Sequence, residues 1–134
     1  MASLLKVDSL TGVTTAGSIS VTGEGNSTTT NLQQGLAKAW VNFNGSGTVA
    51  VRDSNNVSSI TDAGTGQYFV NADSNMASAN FSVSAASQSW SDVASLGGAG
   101  DAMSASGTPV RFRDYASNYD DPTICTVTIH GDLA

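Results

Sequence analysis

One stretch, residues 36–53, constrains the fold of this chain more than any other. Its first half alternates apolar and polar residues, and successive side chains of a β-strand point to opposite faces. The apolar side chains that share one face are Ala37, Ala39, Val41 and Phe43. The sequence Asn-Gly-Ser-Gly then follows at residues 44–47, and such residues favour turns that need a positive φ. Because the alternation resumes at residues 48–52, the stretch predicts a β-hairpin with one buried face.

The composition of the chain also favours β-structure. Only 12% of its 134 residues are charged, against roughly 25% in typical soluble domains. Ser, Thr, Asn and Gly fill the polar positions, and these residues weaken helix interiors and are common in turns, while Thr also favours strands. A chain of this length can bury a real core as one ordinary domain. We therefore expect an all-β protein.

Turn signals recur about every ten residues, which is the spacing of sandwiches and barrels. Between them, short alternating segments predict strands at residues 57–61, 67–72, 80–86, 109–115 and 123–133. Residues 30–40 predict a turn or a single helical turn that leads into the first core strand. The expected fold is an antiparallel β-sandwich of seven or eight strands over residues 31–134, with jelly-roll-like topology.

The first 30 residues differ from the rest. Their apolar residues are spaced irregularly among Ser, Thr and Gly, so a packed subdomain is not expected. An extended segment of this kind can be stabilised by adding to the sheet edge of another chain. We expect residues 1–30 to form an N-terminal docking arm, with an ordinary first strand or two of the domain as the alternative. The candidate docking residues are Leu5, Val7, Val13, Ile19 and Val21.

Residues 87–107 interrupt the strand pattern. A Gly-Gly-Ala-Gly sequence at residues 97–100 leaves little room for a strand or helix of normal length. A loop this long in a compact domain commonly binds something or packs on a neighbour. We expect either a recognition loop or a long connection. The candidate recognition residues are Trp90, Val93, Leu96 and Met103.

The charge of the chain limits its partners. Five Lys and Arg stand against eleven Asp and Glu, for a net charge of −6. Nucleic-acid binding is disfavoured, since that affinity comes largely from cationic side chains on phosphates. Arg111 and Arg113 form the only basic pair, and alternation predicts that they lie on the solvated face of a strand. No apolar run is long enough for a membrane span or a signal peptide.

The chain has no recognisable catalytic, cofactor or metal signature. Residues 45–50 match G-x-G-x-x-A, but a strand rather than a helix is expected after them. His130 is the only histidine and is expected on a surface or interface, and Cys125, the only cysteine, is expected to be a buried apolar residue. The acidic pair Asp120 and Asp121 is expected to be solvated in a turn. We expect a non-enzymatic protein without a cofactor.

The hairpin and the residues behind it carry a family resemblance. LAKAWVNFNGSGTVAVRDS, with the segment that continues to Ser87, closely resembles a module of virion proteins of tailed bacteriophages, usually labelled tail fibre. The resemblance covers residues 31–87 and resumes loosely near the C-terminus. It implies synthesis in the host cytoplasm and a place on the virion surface.

Two classes of function follow. The first is a virion structural protein, a homotrimer that contacts itself, other virion proteins and, in some settings, a host surface glycan. It would be a surface fibre or receptor-binding piece, with a capsid decoration (cement) protein as a close rival, because neither a coiled coil nor a repeat array is visible. The second is a carbohydrate-binding module or small hydrolase with aromatic stacking platforms at Trp90, Tyr115 and Tyr119.

Overall fold

The computed structural model describes residues 4–13, 19–23, 28–88, 91–96 and 102–134, with the backbone alone for residues 91–95. The chain forms two compact units, residues 1–36 and residues 37–134. Each unit has its own strands and is described separately below.

The first unit contains a small antiparallel ribbon and one helical turn. Strands β1 (Ser20–Thr22) and β2 (Thr29–Asn31) pair with Ser20 opposite Asn31. Helix α1 (Leu32–Gly35) follows directly, because the Asn31 side chain accepts a hydrogen bond from the Gln34 N–H at 3.0 Å and caps the turn. The prediction of a single helical turn before the first core strand is confirmed. Residues 4–13 lie in no helix or strand.

The second unit is built from two four-stranded antiparallel sheets. Its described strands are β3 (Ala39–Asn44), β4 (Ala50–Asn55), β5 (Val57–Gly64), β6 (Gln67–Ala72), β7 (Ser82–Ser87), β8 (Ser91–Leu96), β9 (Gly107–Asp114) and β10 (Cys125–His130). The first sheet has the order β4-β3-β10-β7 and the second the order β5-β6-β9-β8. The predicted all-β antiparallel sandwich is confirmed.

The jelly-roll topology is not confirmed. The consecutive strands β3 and β4 pair within one sheet, and so do β5 and β6 and β8 and β9. In each of these pairs, strands that follow one another in the chain lie side by side, and β5 and β6 are joined by a two-residue turn. In the first sheet, β10 lies between β3 and β7 and pairs with both, so it connects two strands that are far apart in the sequence.

The core lies between the sheets and is centred on three aromatic rings. Phe43 of β3 packs edge-on against Tyr68 of β6, with ring centroids 5.1 Å apart, and against Phe112 of β9 at 6.4 Å. Such tilted ring pairs are favoured over face-to-face stacking. The other buried apolar residues are Ala39, Val41, Val70, Met76, Val110, Cys125, Val127 and Ile129. The predicted burial of alternate residues in β3 and β10 is confirmed.

Two local predictions were wrong. The segment 87–107 was expected to hold no strand, yet it contains β8, which pairs along β9. The strand predicted at residues 57–61 is confirmed, but it continues as β5 to Gly64, so the turn expected at residues 62–66 is confined to residues 65 and 66. In both cases the local β-propensity is weak, and the strand is stabilised by hydrogen bonds to a neighbouring strand.

Candidate functional site

The loop between β9 and β10, residues 115–124, is fastened to the end of the sandwich. The Asp121 Oδ1 atom accepts hydrogen bonds from the Gly66 N–H at 2.6 Å and from the Tyr68 hydroxyl at 2.7 Å. The Pro122 carbonyl oxygen accepts a hydrogen bond from the Gly45 N–H at 2.9 Å. Gly45 lies in the β3–β4 turn and Gly66 in the β5–β6 turn. The loop is therefore bonded to a hairpin turn of each sheet.

The close approach at this anchor requires glycine at both turns. A Cβ atom on Gly45 would lie 2.5 Å from the Tyr68 hydroxyl oxygen. Gly66 has φ +64°, and a Cβ atom there would lie 2.5 Å from the Phe112 carbonyl oxygen. Real Cβ atoms do not approach oxygen so closely, so the two glycines determine how tightly the loop can pack.

Two buried titratable groups lie beside the anchor, and both keep their protons. Burial raises the pKa of Tyr68, and its hydrogen bond to the Asp121 carboxylate raises that pKa further. Burial also raises the pKa of the Cys125 thiol to about 12. A thiol that is protonated at neutral pH is a weak nucleophile. Cys125 is fully buried, so its predicted place in the core is confirmed.

Two arginines of β9 contact the ring of Tyr119, which lies on the β9–β10 loop. We call this surface, with Tyr115, the arginine–tyrosine corner. The Arg113 Cζ atom lies 4.5 Å and the Arg111 Cζ atom 5.7 Å from the centroid of Tyr119. Arg113 Nη2 also donates a hydrogen bond to the Tyr119 hydroxyl oxygen at 3.0 Å. All three side chains are partly exposed. The predicted solvated face is confirmed, and the structure adds an aromatic ring that brings the two cations together.

The turn beyond Arg113 is held in shape by its own side chains. Asp114 Oδ1 accepts hydrogen bonds from the Ala116 N–H at 2.9 Å and the Asn118 N–H at 2.8 Å. Hydrogen bonds from the Asn118 side chain and backbone lower the pKa of Asp114. Tyr115 lies on this turn with 79% of its surface exposed. The turn therefore presents a large aromatic side chain from a braced backbone.

The structure describes only part of the recognition loop that was predicted in segment 87–107. Trp90 lies outside the described residues, as does the side chain of Val93, whose backbone belongs to β8. Leu96 ends β8 and is 48% exposed, and Met103 is partly buried before β9. Since β8 occupies the middle of this segment, the expectation of one long loop is corrected.

The predicted docking residues are largely uncovered. The exposed fractions are 81% for Leu5, 57% for Val7, 96% for Val13 and 51% for Val21, whereas Ile19 is partly buried. Leu4 and Leu10 add two more exposed apolar side chains, at 78% and 58%. Residues 4–13 therefore lie in no helix or strand and carry several exposed apolar side chains.

No protein-family model, curated protein or solved structure matches this chain. Among the described residues, no three His, Cys, Asp or Glu side chains lie close enough together to hold a metal ion. The described helix is too short to cross a membrane.

The anchoring role of Asp121 was not predicted from the sequence. The acidic pair was expected to be solvated, but the Asp121 carboxylate is a partly buried acceptor of two hydrogen bonds from β6 and its turn. The sequence feature that could have indicated this role is the position of Asp120 and Asp121 next to Pro122, in the turn between two predicted strands. The role of Tyr115 and Tyr119 as stacking platforms stays a prediction, and the structure places Tyr115 exposed and Tyr119 partly exposed.

Proposed function

We propose that this chain is a structural protein of a tailed bacteriophage virion, exposed on the particle as a trimeric fibre or receptor-binding piece. One observation carries the proposal: the chain combines a sandwich that has its own hydrophobic core with a segment, residues 4–13, that forms no helix or strand and has exposed apolar side chains. A particle component needs both parts, a rigid unit for the surface and a segment that docks. The sequence resemblance over residues 31–87 supports the same role.

Residues 4–13, the docking segment, have apolar side chains that could be buried if the segment paired with another chain as a strand. In an extended chain Leu5, Val7 and Val13 share one side, and Leu4 and Leu10 share the other. Full burial of a Leu or Val side chain contributes about 1.5–3 kcal/mol. Several such side chains together can offset the entropy lost when the segment becomes ordered on another chain.

A second copy of this chain could be the partner, because the sandwich has exposed edge strands. Strand β4 ends one side of the first sheet and β5 ends the same side of the second, and both are largely exposed. An edge strand presents unpaired N–H and C=O groups, to which an extended segment can add. We propose that a neighbouring copy or another virion protein supplies such an edge to residues 4–13.

Apolar side chains on the outer faces of the sheets support contact between copies in the proposed trimer. Trp40 is 37% exposed on the outer face of the first sheet, and Phe69 lies partly exposed on the outer face of the second. Contact between copies would cover these apolar side chains. Sedimentation that gives three times the chain mass supports this part of the proposal, and a stable monomer at micromolar concentration, both free and on the particle, contradicts it.

The position on the particle is tested by gold-labelled antibody and electron microscopy of purified virions. Gold confined to the tail or its tip supports the fibre. Gold spread over the head supports the alternative, a capsid decoration (cement) protein. Virions that carry no label while the infected cell does would contradict both.

A further inference from the structure

We propose that the corner formed by Arg111, Arg113, Tyr115 and Tyr119 binds a carboxylate-bearing sugar unit of an acidic polysaccharide. This site is independent of the docking segment, and the inference does not depend on where the chain sits on a particle. It follows from the distribution of positive charge, from the shared tyrosine ring and from the braced turn.

The positive charge of the second unit is concentrated at this corner. That unit has four basic residues, and two of them are engaged elsewhere. Lys38 is 6% exposed. Arg52 donates hydrogen bonds to the Asn42 side chain and to the Phe43 and Thr123 carbonyl oxygens. Arg111 and Arg113 remain, on a chain of net charge −6.

The two guanidinium groups have different roles. Arg113 donates to the Tyr119 hydroxyl oxygen at 3.0 Å and to the Ser117 carbonyl oxygen at 3.4 Å, so its position is fixed. Within the described part of the chain, the Arg111 guanidinium forms no hydrogen bond, and its contact is the Tyr119 ring. A guanidinium whose N–H groups are not otherwise bonded can form a bidentate pair with the two oxygens of a carboxylate. Arg111 is therefore assigned to the carboxylate, and Arg113 supplies the second positive charge.

Tyr115 provides the contact for the sugar ring. The bonds of Asp114 to residues 116 and 118 hold the turn before any ligand arrives, and Tyr115 is 79% exposed on it. A tyrosine on a preformed turn loses little conformational entropy on binding. Its apolar ring face suits the C–H face of a sugar, while the carboxylate of the same or the next sugar reaches Arg111.

Other anionic partners fit this corner less well. A nucleic acid needs many cationic contacts, and the acidic chain offers two here. A stable protein partner buries about 800 Å² on each side, usually around an apolar centre. Two arginines and two tyrosines among polar residues match the size of one or two sugar units.

The test is calorimetric titration of the full chain with oligogalacturonate, the neutral galactose oligomer of the same length and polyglutamate. We expect binding of oligogalacturonate alone. Arg111→Gln should weaken that binding at least about tenfold, and Arg111→Lys, which keeps the charge but not the fork, should weaken it by a smaller factor. Lys6→Gln removes one charge elsewhere and should change affinity less than about twofold.

Three results would overturn the proposal. The first is no binding of oligogalacturonate by the unaltered chain at low salt. The second is equal binding of polyglutamate, which would indicate an acidic polypeptide partner or charge attraction alone. The third is the same loss for Arg111→Gln and Lys6→Gln. Because the Arg111 guanidinium forms no hydrogen bond within the described residues, and substitution of the side chain keeps the backbone pairing of β9, the unfolding transition should not change. This measurement separates lost binding from lost fold.

Discussion

The Tyr68 hydroxyl donates a hydrogen bond to the Asp121 carboxylate at 2.7 Å, across 53 positions of sequence. This bond ties β6, in the middle of the second sheet, to the loop that carries the chain back to the first. The Asp121 carboxylate also holds the β5–β6 turn through the Gly66 N–H. The exposed arginine–tyrosine corner lies on the loop and strand that this anchor fixes.

Tyr68→Phe should lower the free energy of unfolding by about 1–3 kcal/mol, because it removes a buried donor from Asp121 and leaves a charged acceptor undersatisfied. Tyr115→Phe is the matched control: it removes the same hydroxyl from an exposed ring and should change stability by less than about 0.5 kcal/mol. Urea unfolding of the two variants measures the difference. Equal stability of the two variants would mean that the buried bond contributes nothing.

Gly66→Ala and Gly47→Ala separate backbone strain from steric conflict. The two glycines have nearly the same φ, +64° and +69°, but a Cβ atom meets the Phe112 carbonyl oxygen at 2.5 Å at Gly66 and nothing within 4 Å at Gly47. We expect Gly47→Ala to cost about 1–2 kcal/mol from strain alone. Gly66→Ala should cost clearly more, or prevent folding. Similar unfolding midpoints would contradict the close packing of the anchor.

Stability should fall at alkaline pH because of Cys125. Its pKa is raised from the ordinary value of 9.0 to about 12, so above pH 9.0 the unfolded chain loses a proton that the folded chain keeps. The contribution of the neutral thiol is therefore complete below pH 9.0 and is lost as the pH rises toward 12. The raised pKa of Tyr68 acts in the same direction at higher pH.

The control for this pH dependence is Cys125→Ala, which has no thiol to ionise. Urea midpoints measured at pH 8, 9 and 10 should fall more steeply for the unaltered chain than for Cys125→Ala. Parallel curves for the two proteins would show that the thiol ionises as easily in the folded state as in the unfolded one.

Much of the sandwich could be predicted from sequence because its hairpins are local. The alternation of Val41 and Phe43, the glycine turn after them and the alternation of Cys125, Val127 and Ile129 each lie within a few residues. Such patterns report the buried face of a strand directly. The burial of these residues was predicted and is confirmed.

The remaining features depend on contacts between distant segments. Strand β8 has the sequence SDVASL, with little of the β-branched or aromatic character of strands, and it is paired through β9 rather than by its own propensity. Predicting the hydrogen bonds of Asp121 to Gly66 and Tyr68 would have required knowing that β6 and β9 are neighbours in one sheet. The shared ring of Tyr119 likewise depends on how the loop folds back on Arg113.

Substitutions in the docking segment should affect assembly without changing the stability of the sandwich. In Leu5→Ser, Val7→Ser, Val13→Ser, the exposed apolar side chains of one side of the segment are replaced by polar ones. Every buried apolar core residue in the described part of the chain lies at or beyond Ala39, so the unfolding midpoint should not change. The control variant is Ser9→Ala, Thr11→Ser in the same segment.

The most direct test of the proposed function is add-back of purified protein to virions that lack it, followed by sedimentation and detection of the bound chain. The unaltered protein and the Ser9→Ala, Thr11→Ser control should bind the particles, and the triple serine variant should remain in solution. Failure of the unaltered protein to bind any particle would contradict the virion role. Equal binding by the triple serine variant would contradict docking through residues 4–13.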